Sequence, residues 1–403
     1  MSNDWPQGWY RGEGAGAPPQ GGRSGYPRPG YPGQAPRGPG YPGQSPQGPG
    51  PRPSGGGWPD QPPPGGGRPS YQGVGGAGRR WRFWGQPGRH GRRILTYFVT
   101  LVVVVVLVVV GSYFWLNGKL KHTVTLPAST YNSAGTNWLI TGADSRAGLS
   151  RTERDALHVG SDMGTLNSDS IMLLHTGGGK PVLISIPRDS YVDIPGHGMD
   201  KINAALALGG PTLLIKTVES TTGLNINHYM GIGFGGLVNV VNAIGGIHLC
   251  LPTAMHDTDS GVNLPAGCHN LNGAQTLEVA RDRHSFATGD LQRIQDQRAI
   301  LKALLDKAMS PGVILNPFTA FPFGSSAASS ISVDKGTNLY DLIMVAMAMG
   351  SPQTGTVPIA NPDYVTSVGD AVEWNRSQAL QLFHALKDDK PVPSGLLQGT
   401  KVG

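Results

Sequence analysis

The sequence has few cysteines and lacks the motifs of several large enzyme classes. Among its 403 residues there are two cysteines, and there is no G-x-S-x-G nucleophile elbow, no P-loop and no H-E-x-x-H pair. These absences argue against a serine hydrolase of the α/β type, a P-loop nucleotide hydrolase and a zinc protease. The eleven histidines show no spacing typical of metal ligands either.

Lysine is absent from the first 93 residues, and acidic residues are rare there. This stretch holds twelve arginines and three acidic residues, a net charge of +9, which leaves 20 basic and 23 acidic residues for the rest of the chain. The overall net charge of +6 is therefore a property of this N-terminal tail. It does not indicate nucleic-acid binding by the folded part, and we expect no nucleic-acid partner.

The N-terminal tail also contains most of the 34 prolines, and it includes a tandem repeat, YPGQAPRGPG (31–40) followed by YPGQSPQGPG (41–50). Such a segment has too little apolar surface to offset its chain entropy, so we predict that it is disordered. Two interpretations of the tail stay open. It is either a flexible segment held near anionic lipid by its arginines or a docking segment for a cytoplasmic partner.

A membrane span follows the tail. The run of 23 residues from 94 to 116 contains no charged side chain and is long enough, at about 1.5 Å per residue, to cross a hydrocarbon core of about 30 Å. Six arginines lie just before it, and only Lys119 and Lys121 lie just after it. The positive-inside rule therefore predicts a single-pass cell-membrane protein with a cytoplasmic N-terminus. The predicted organisation is a cytoplasmic tail (1–93), a transmembrane helix (94–116), an extracytoplasmic linker (117–135), a catalytic domain (136–390) and a flexible C-terminus (391–403).

Apolar runs alternate with turn signals in the predicted domain. The runs at 138–140, 170–175 and 182–186 are typical of buried strands, whereas those at 213–220 and 234–243 are typical of helices. Glycine pairs separate these segments. The alternation predicts an α/β fold with a mixed central sheet flanked by helices.

Both cysteines, Cys250 and Cys268, lie in the predicted extracytoplasmic part, among Gly, Pro and Asp residues typical of an exposed loop. An oxidising compartment permits a disulfide between them. Closing a loop of this size would stabilise the fold by about 3 kcal/mol through the entropy of the unfolded chain. We predict the disulfide, and a pair of free thiols is the alternative.

Charged side chains cluster where the apolar runs end. In an open α/β sheet, ligands gather at the carboxyl ends of strands, and several cations there favour an anionic ligand held by planar guanidinium groups. Asp144 and Asp169 supply carboxylate oxygens, the ligands that Mg²⁺ prefers. Cations with Mg²⁺ are what a pyrophosphate leaving group requires as its charge develops. The cations in these clusters are Arg146, Arg188, Lys201, Arg281, Arg283 and Arg293.

Spacing within two of these clusters supports the same prediction. Arg281 and Arg283 share a face if the chain is extended there. Arg293 and Gln297 stand at i and i+4 of a predicted helix and share a face, with Asp290 as the N-cap.

Several segments together resemble the LytR-CpsA-Psr family. The resemblance covers residues 137–307 well and continues weakly to about residue 388. SIPRDSYV (185–192) followed by KINAA (201–205) is its most specific part. The other matching segments are 142–146, 168–173, 245–246, 271–277 and 281–297.

The resemblance implies a Mg²⁺-dependent phosphotransferase. Such an enzyme moves a glycopolymer with one phosphate from a polyprenyl-pyrophosphate carrier to a peptidoglycan hydroxyl, and so anchors secondary polymers such as teichoic acid or arabinogalactan. The implied partners are the lipid-linked glycan, peptidoglycan and membrane lipid. Carried over by motif, Asp144 and Asp169 would hold Mg²⁺, and Arg188, Arg281 and Arg283 would act in catalysis. The implied pyrophosphate-binding set is Arg146, Arg188, Lys201, Arg281, Arg283, Arg293 and Gln297.

Some assignments are left open by the sequence. Asp189 and Asp290 are the candidates for the base that deprotonates the acceptor hydroxyl. Asp296 departs from the family, which often has arginine at this position, and Arg298 is the candidate for supplying that cation instead. Two other functions use the same residues: a non-catalytic envelope protein that binds lipid-linked glycan, and a polyprenyl pyrophosphate hydrolase with water as the acceptor.

Overall fold

The computed structural model describes residues 89–143, 151–157, 168–282 and 290–397, with the backbone alone at a few positions inside helices and strands. Residues 99–403 belong to one compact unit and residues 16–98 to another. Of the second unit, only its last ten residues are described, and these are helical.

The described residues contain fifteen strands and eleven helices. The strands are β1 (Lys121–Val124), β2 (Thr136–Ala143), β3 (Ser168–Thr176), β4 (Val182–Ile186), β5 (Tyr191–Ile194), β6 (Gly198–Lys201), β7 (His228–Gly233), β8 (Ile247–Leu251), β9 (Met255–Asp257), β10 (Val262–Leu264), β11 (Gly267–Leu271), β12 (Ile331–Asp334), β13 (Gln353–Thr356), β14 (Ile359–Thr366) and β15 (Gly369–Trp374). The helices are α1 (Arg89–Asn117), α2 (Arg151–Ala156), α3 (Ala204–Thr222), α4 (Phe234–Ala243), α5 (Gly273–Arg281), α6 (Asp290–Ala308), α7 (Pro311–Ile314), α8 (Pro317–Ser330), α9 (Leu339–Met349), α10 (Arg376–Lys387) and α11 (Ser394–Leu397).

Seven strands form the central sheet, in the order β1-β12-β7-β2-β3-β4-β13. The neighbours β1–β12, β7–β2 and β4–β13 run parallel. The neighbours β12–β7, β2–β3 and β3–β4 run antiparallel. The sheet is therefore mixed, and the predicted α/β fold with a mixed central sheet is confirmed.

Both faces of the sheet are buried under helices. In β2, Leu139 packs into a core shared with α3 and α10, whereas Trp138 and Ile140 pack on the opposite face with α6 and α9. In β4, Ile184 belongs to the first core and Leu183 to the second. Because successive side chains of a strand point to opposite faces, strands covered on both sides are apolar along almost their whole length.

The segments outside the predicted domain take part in the fold more than expected. The predicted linker 117–135 contains β1, which pairs with β12 at the edge of the sheet. At the other end, Val392 and Leu396 of the predicted flexible C-terminus are buried in the core that includes α3. The remaining residues of that terminus lie outside the described residues.

The helix α1 begins five residues before the predicted span and ends one residue after it. In the part of the chain that the structure describes, it is the one helix long and apolar enough to cross a membrane, and its apolar side chains are exposed along the run. Its end contacts the domain, because the Leu339 backbone N–H donates a 2.9 Å hydrogen bond to Asn117 Oδ1. The arginine-rich tail before α1 lies outside the described residues.

A disulfide joins β8 to β11. Cys250 and Cys268 are register partners in this antiparallel pair, and their Sγ atoms are bonded at 2.00 Å. The expectation of an exposed loop around them is wrong in one respect, because both cysteines stand on strands and the residues between them form the β9–β10 hairpin. Burial alternates along β8 so that its cysteine points outward.

A buried carboxylate links β12 to β7. Asp334 is 1% exposed and accepts hydrogen bonds from the Tyr229 backbone N–H (2.9 Å) and the Thr337 hydroxyl (2.5 Å). His228 Nδ1 lies 3.5 Å from the same carboxylate. Burial by itself would raise the pKa of Asp334, but hydrogen bonds from His228, Thr337 and Tyr229 to the charged form outweigh it and lower the pKa from 3.8 to about 2.

The depressed pKa of Asp334 makes a prediction about acid stability. The charged carboxylate stabilises the fold above pH 4, and this contribution is lost as the pH falls towards 2. We expect Asp334→Asn to lower the free energy of unfolding by about 2 kcal/mol at neutral pH, with a smaller difference from wild type at pH 3. Urea unfolding of the full chain in detergent at both pH values measures this. Asp370→Asn, at an exposed position of β15, is the control, and an equal loss at both pH values would contradict the assignment.

Candidate functional site

Several strand ends meet at one edge of the central sheet. Ala143, the last residue of β2, pairs with Gly233 at the end of parallel β7 and with Ser168 at the start of antiparallel β3. Ile186, the last residue of β4, pairs with Ile171 near the same end of β3. The residues that follow β2, β4 and β7 therefore leave the sheet at this edge, which we call the carboxyl edge.

The two predicted metal ligands belong to the carboxyl edge by their position in the chain. Asp169 is the second residue of β3, and its side chain is outside the described part. Asp144 directly follows Ala143 and lies outside the described residues. Ala143 and Ser168 are register partners on adjacent strands. Asp144 follows Ala143 in the sequence, and Asp169 follows Ser168. Two carboxylates supplied by adjacent strands are a donor set suited to Mg²⁺.

Arg188 and Lys201 are brought together by Asp189. Arg188 Nε lies 3.1 Å from Asp189 Oδ2, and Lys201 Nζ lies 3.4 Å from Asp189 Oδ1. Arg188 follows β4 directly after Pro187, and Lys201 ends β6, so the ion pairs join two separate segments of the chain. Both oxygens of Asp189 thus face cations. This geometry gives Asp189 a role in positioning the two cations, and its role as general base stays a prediction.

The turn that carries Arg188 is held by residues remote in sequence. The carbonyl oxygen of Arg188 accepts a hydrogen bond from the Asn203 N–H (3.1 Å), and the carbonyl oxygen of Asp189 accepts one from the Val372 N–H (2.8 Å). The indole Nε1–H of Trp374 donates to Ser190 Oγ (2.8 Å). This support was not predictable from the sequence, because Val372 and Trp374 lie in β15, beyond the segments that resemble the family well.

Arg281 reaches the carboxyl edge from the other side. It is the last residue of α5, and its guanidinium lies 5.6 Å from the ring of Phe234, the residue that follows β7. Its Nη1 also lies 3.4 Å from the carbonyl oxygen of Leu157. The expectation that Arg281 and Arg283 share the face of an extended segment is wrong at Arg281, because this residue is helical. Arg283 and the predicted pyrophosphate ligand Arg146 lie outside the described residues.

The predicted helix that carries Arg293 and Gln297 is present as α6. It begins at Asp290, where the sequence placed the N-cap, and the two residues stand at i and i+4. Gln297 is half-buried. The side chains of Asp290 and Arg293 are outside the described part, so their predicted roles stay predictions.

Arg298 has a different role from the one suggested by the sequence. Its Nε donates to Ser185 Oγ (2.9 Å) and its Nη2 to Thr356 Oγ1 (2.9 Å) and to the carbonyl oxygen of Gly355. Burial lowers the pKa of Arg298 to about 10, so it remains charged at neutral pH. This side chain holds α6 against β4 and β13, which argues against its replacing the cation that Asp296 lacks. Asp296 is itself buried.

The arrangement places cations on both sides of the aspartate-bearing strands. Arg281 stands beside β7, and the pair Arg188–Lys201 follows β4. The strands β7 and β4 are three strand spacings apart in the sheet, or about 14 Å. The strands β2 and β3, with the two metal-ligand candidates, lie between them. A site of this kind suits an extended anion with more than one charged group, bound partly by arginine and lysine and partly through a metal ion.

Comparisons with known proteins give the following similarities. A family model described as the LytR_cpsA_psr family matches residues 117–355. The probable cell wall biosynthesis protein LcpB of Corynebacterium glutamicum is 45% identical over 291 residues, which are 71% of this chain and 69% of that protein. The polyisoprenyl-teichoic acid–peptidoglycan teichoic acid transferase TagU of Oceanobacillus iheyensis is 34% identical over 180 residues, 43% of this chain and 52% of that protein.

Solved structures share the fold. The LytR-Csp2A-Psr enzyme from Actinomyces oris superposes with a TM-score of 0.53 and 21% identity, covering 67% of this chain and 96% of that one. At this identity the similarity supports the fold alone.

The bond between Trp374 and Ser190 generates a test of how the turn is held. We expect Trp374→Phe and Ser190→Ala each to destabilise the protein, because each removes one partner of a buried hydrogen bond worth about 1 kcal/mol. The double variant should lose less than the two single losses together, since the bond can be lost only once. Thermal or urea unfolding of the four proteins measures this coupling. Strictly additive losses would show that the bond contributes nothing.

Proposed function

This chain belongs to the LytR-CpsA-Psr family, and we propose that it transfers a cell wall glycopolymer, with one phosphate, from a polyprenyl-pyrophosphate carrier to a peptidoglycan hydroxyl. One observation carries the proposal: Arg281 and the Arg188–Lys201 pair stand at the carboxyl edge on either side of the strands that lead to Asp144 and Asp169. The TagU relative, a polyisoprenyl-teichoic acid–peptidoglycan teichoic acid transferase, supports the same reaction class.

The chemistry is a displacement at phosphorus. The acceptor hydroxyl attacks the glycan-side phosphorus, the bond from that phosphorus to the bridging oxygen breaks, and polyprenyl phosphate leaves with the bridging oxygen. The hydroxyl proton passes to a base on the protein or to solvent. The glycan is then joined to peptidoglycan through one phosphate, so atoms and charge balance.

The residues of the carboxyl edge divide this work. Arg188 and Lys201, held side by side by Asp189, bind one end of the pyrophosphate, and Arg281 binds oxygens on which negative charge develops. Asp144 and Asp169 would hold Mg²⁺, which supplies charge neutralisation and polarises the phosphoryl oxygens when bound. Asp189 and Asp290 both stay candidates for the base that deprotonates the acceptor hydroxyl.

We also propose a location for the protein. The helix α1 crosses the cell membrane, with the arginine-rich tail in the cytoplasm and the domain from β1 onward outside. The cluster of arginines before the apolar run and the scarcity of cations after it support this orientation. The Cys250–Cys268 disulfide is in keeping with an oxidising compartment.

The proposed reaction makes a prediction about Arg281. Full-length protein in vesicles, given a polyprenyl-pyrophosphate-linked glycan and peptidoglycan, should release polyprenyl phosphate and attach the glycan to peptidoglycan. We expect Arg281→Ala to lower the turnover by about 100-fold or more, because it removes a donor to the developing charge. Lys302→Ala is the control, since Lys302 pairs with Asp306 on the exposed surface of α6. Equal rates for wild type and Arg281→Ala would contradict the assignment.

Metal removal is a second test of the proposal. Chelation should abolish transfer, and added Mg²⁺ should restore it. Without a bound cation, the two negatively charged aspartates would repel the negatively charged pyrophosphate. Mass analysis of the products separates the alternatives. Release of polyprenyl phosphate with no glycan on peptidoglycan would identify a hydrolase, and no release by folded protein would favour a glycan-binding protein without catalysis.

A further inference from the structure

A stretch of the domain next to the membrane helix has an unusual composition. Residues 308–333, which include α7 and α8, contain no charged side chain and no histidine. Several large apolar residues in it are exposed. Phe318 is 89% exposed and Leu315 is 78% exposed, and Ile314 and Phe321 are also exposed. We call these four residues the apolar face of α7–α8. An exposed apolar patch of this kind marks a surface that is covered in the functional protein.

The end of α1 packs along α8 through an ordered series of contacts. The ring of Trp115 stacks on Phe321, with centroids 4.8 Å apart. A Cβ at Gly324 would lie 3.3 Å from Leu116 Cδ1, so the two helices approach closely there. Lys119 Nζ donates a 2.8 Å hydrogen bond to Ser325 Oγ. The residue numbers rise together on the two segments, so α8 runs alongside the end of α1 in the same direction.

This order determines which way the apolar face of α7–α8 extends. Phe318 precedes Phe321 by three residues, so it lies about 4.5 Å away along the axis of α8. Because α8 and the end of α1 run in the same direction, this displacement is towards the apolar run of α1. The aromatic residues Tyr113 and Phe114 of α1 lie in that direction, and aromatic residues of a span favour the level of the lipid headgroups. Phe318 therefore stands at that level or deeper, and Leu315 and Ile314 precede it in the chain.

The first turns of α9 add to the same region. Its first N–H group donates to Asn117 at the end of α1. The next residue, Tyr340, is exposed, as are Ile343 and Met344, which lie three and four residues further along and share its helix face. A tyrosine with an apolar ring and a polar hydroxyl suits the membrane interface.

We infer that the apolar face of α7–α8 is inserted in the outer leaflet of the membrane that α1 crosses, beside the end of that helix. The inference rests on the proposed membrane location of α1. The apolar face of α7–α8 binds lipid, and Phe318, Leu315 and Ile314 contact acyl chains and headgroups. The domain is then attached to the bilayer at two places, the span and this face, and its orientation to the membrane surface is restricted.

Collision measurements on nitroxide labels test this in the full chain. Single cysteines replace Phe318, Leu315, Val365 and Val105 in turn, and the proteins are labelled and reconstituted in phosphatidylcholine–phosphatidylglycerol vesicles. The native cysteines are paired in the disulfide, and wild type treated with the label controls for their reaction. Oxygen concentrates in lipid and a nickel chelate stays in water, so the ratio of their collision rates reports depth. Val365 is 78% exposed on β14 and serves as the matched control outside the apolar face.

We expect labels at Phe318 and Leu315 to give oxygen-to-nickel ratios several-fold above that at Val365 and closer to that at Val105. Ratios at 318 and 315 equal to the ratio at 365, with the label at 105 in lipid, would overturn the inference and leave the proposed span intact. A label at 105 that collides freely with nickel would overturn both. A label at 318 that is shielded from both reagents, and whose spectrum is broadened by a second nitroxide, would indicate contact between two copies of the chain. That result would also overturn the inference.

Discussion

Burial of both faces of the central sheet determines where charged residues can stand in this protein. Because Leu139 and Ile184 pack on one face while Trp138 and Leu183 pack on the other, the strands have almost no position for a charged group. Charged residues can then stand only where strands end, and the mixed order of the strands brings several of these ends to one edge. The site at the carboxyl edge is a consequence of this double burial, since it is the place where the chain leaves the core.

Much of the fold was predictable because it is encoded in local pattern. The apolar run at 182–186 and the amphipathic segment at 234–243 became β4 and α4. The glycines at 209 and 210 interrupt α3, where Gly210 has a φ of +66° that favours glycine. The set of site residues depended more on the resemblance to the family, because composition and spacing alone do not distinguish a pyrophosphate site from a group of surface ion pairs.

What was not predictable depends on contacts between residues far apart in sequence. The strand β1 has four residues, three of them exposed, and it is a strand because of its pairing with β12 rather than because of its own pattern. Asp189 holds two cations because the β5–β6 hairpin returns Lys201 to the end of β4. Arg298 stands two residues after Asp296, yet only the tertiary structure shows that Arg298 is bound to β4 and β13. Such roles follow from topology, and a single sequence carries little signal for them.

The pairing of the first strand with a late one has a consequence for biogenesis. Lys121 pairs with Ser332, and the core beside α3 is completed by Phe383 and Leu396 near the C-terminus. With the membrane topology proposed above, β1 would emerge first and would stay unpaired until β12 had also crossed. During this interval the strand edges and apolar segments are unpaired, and long-range pairing of this kind is slow. The proposed export would therefore need either translocation that is fast relative to aggregation or a folding factor outside the membrane.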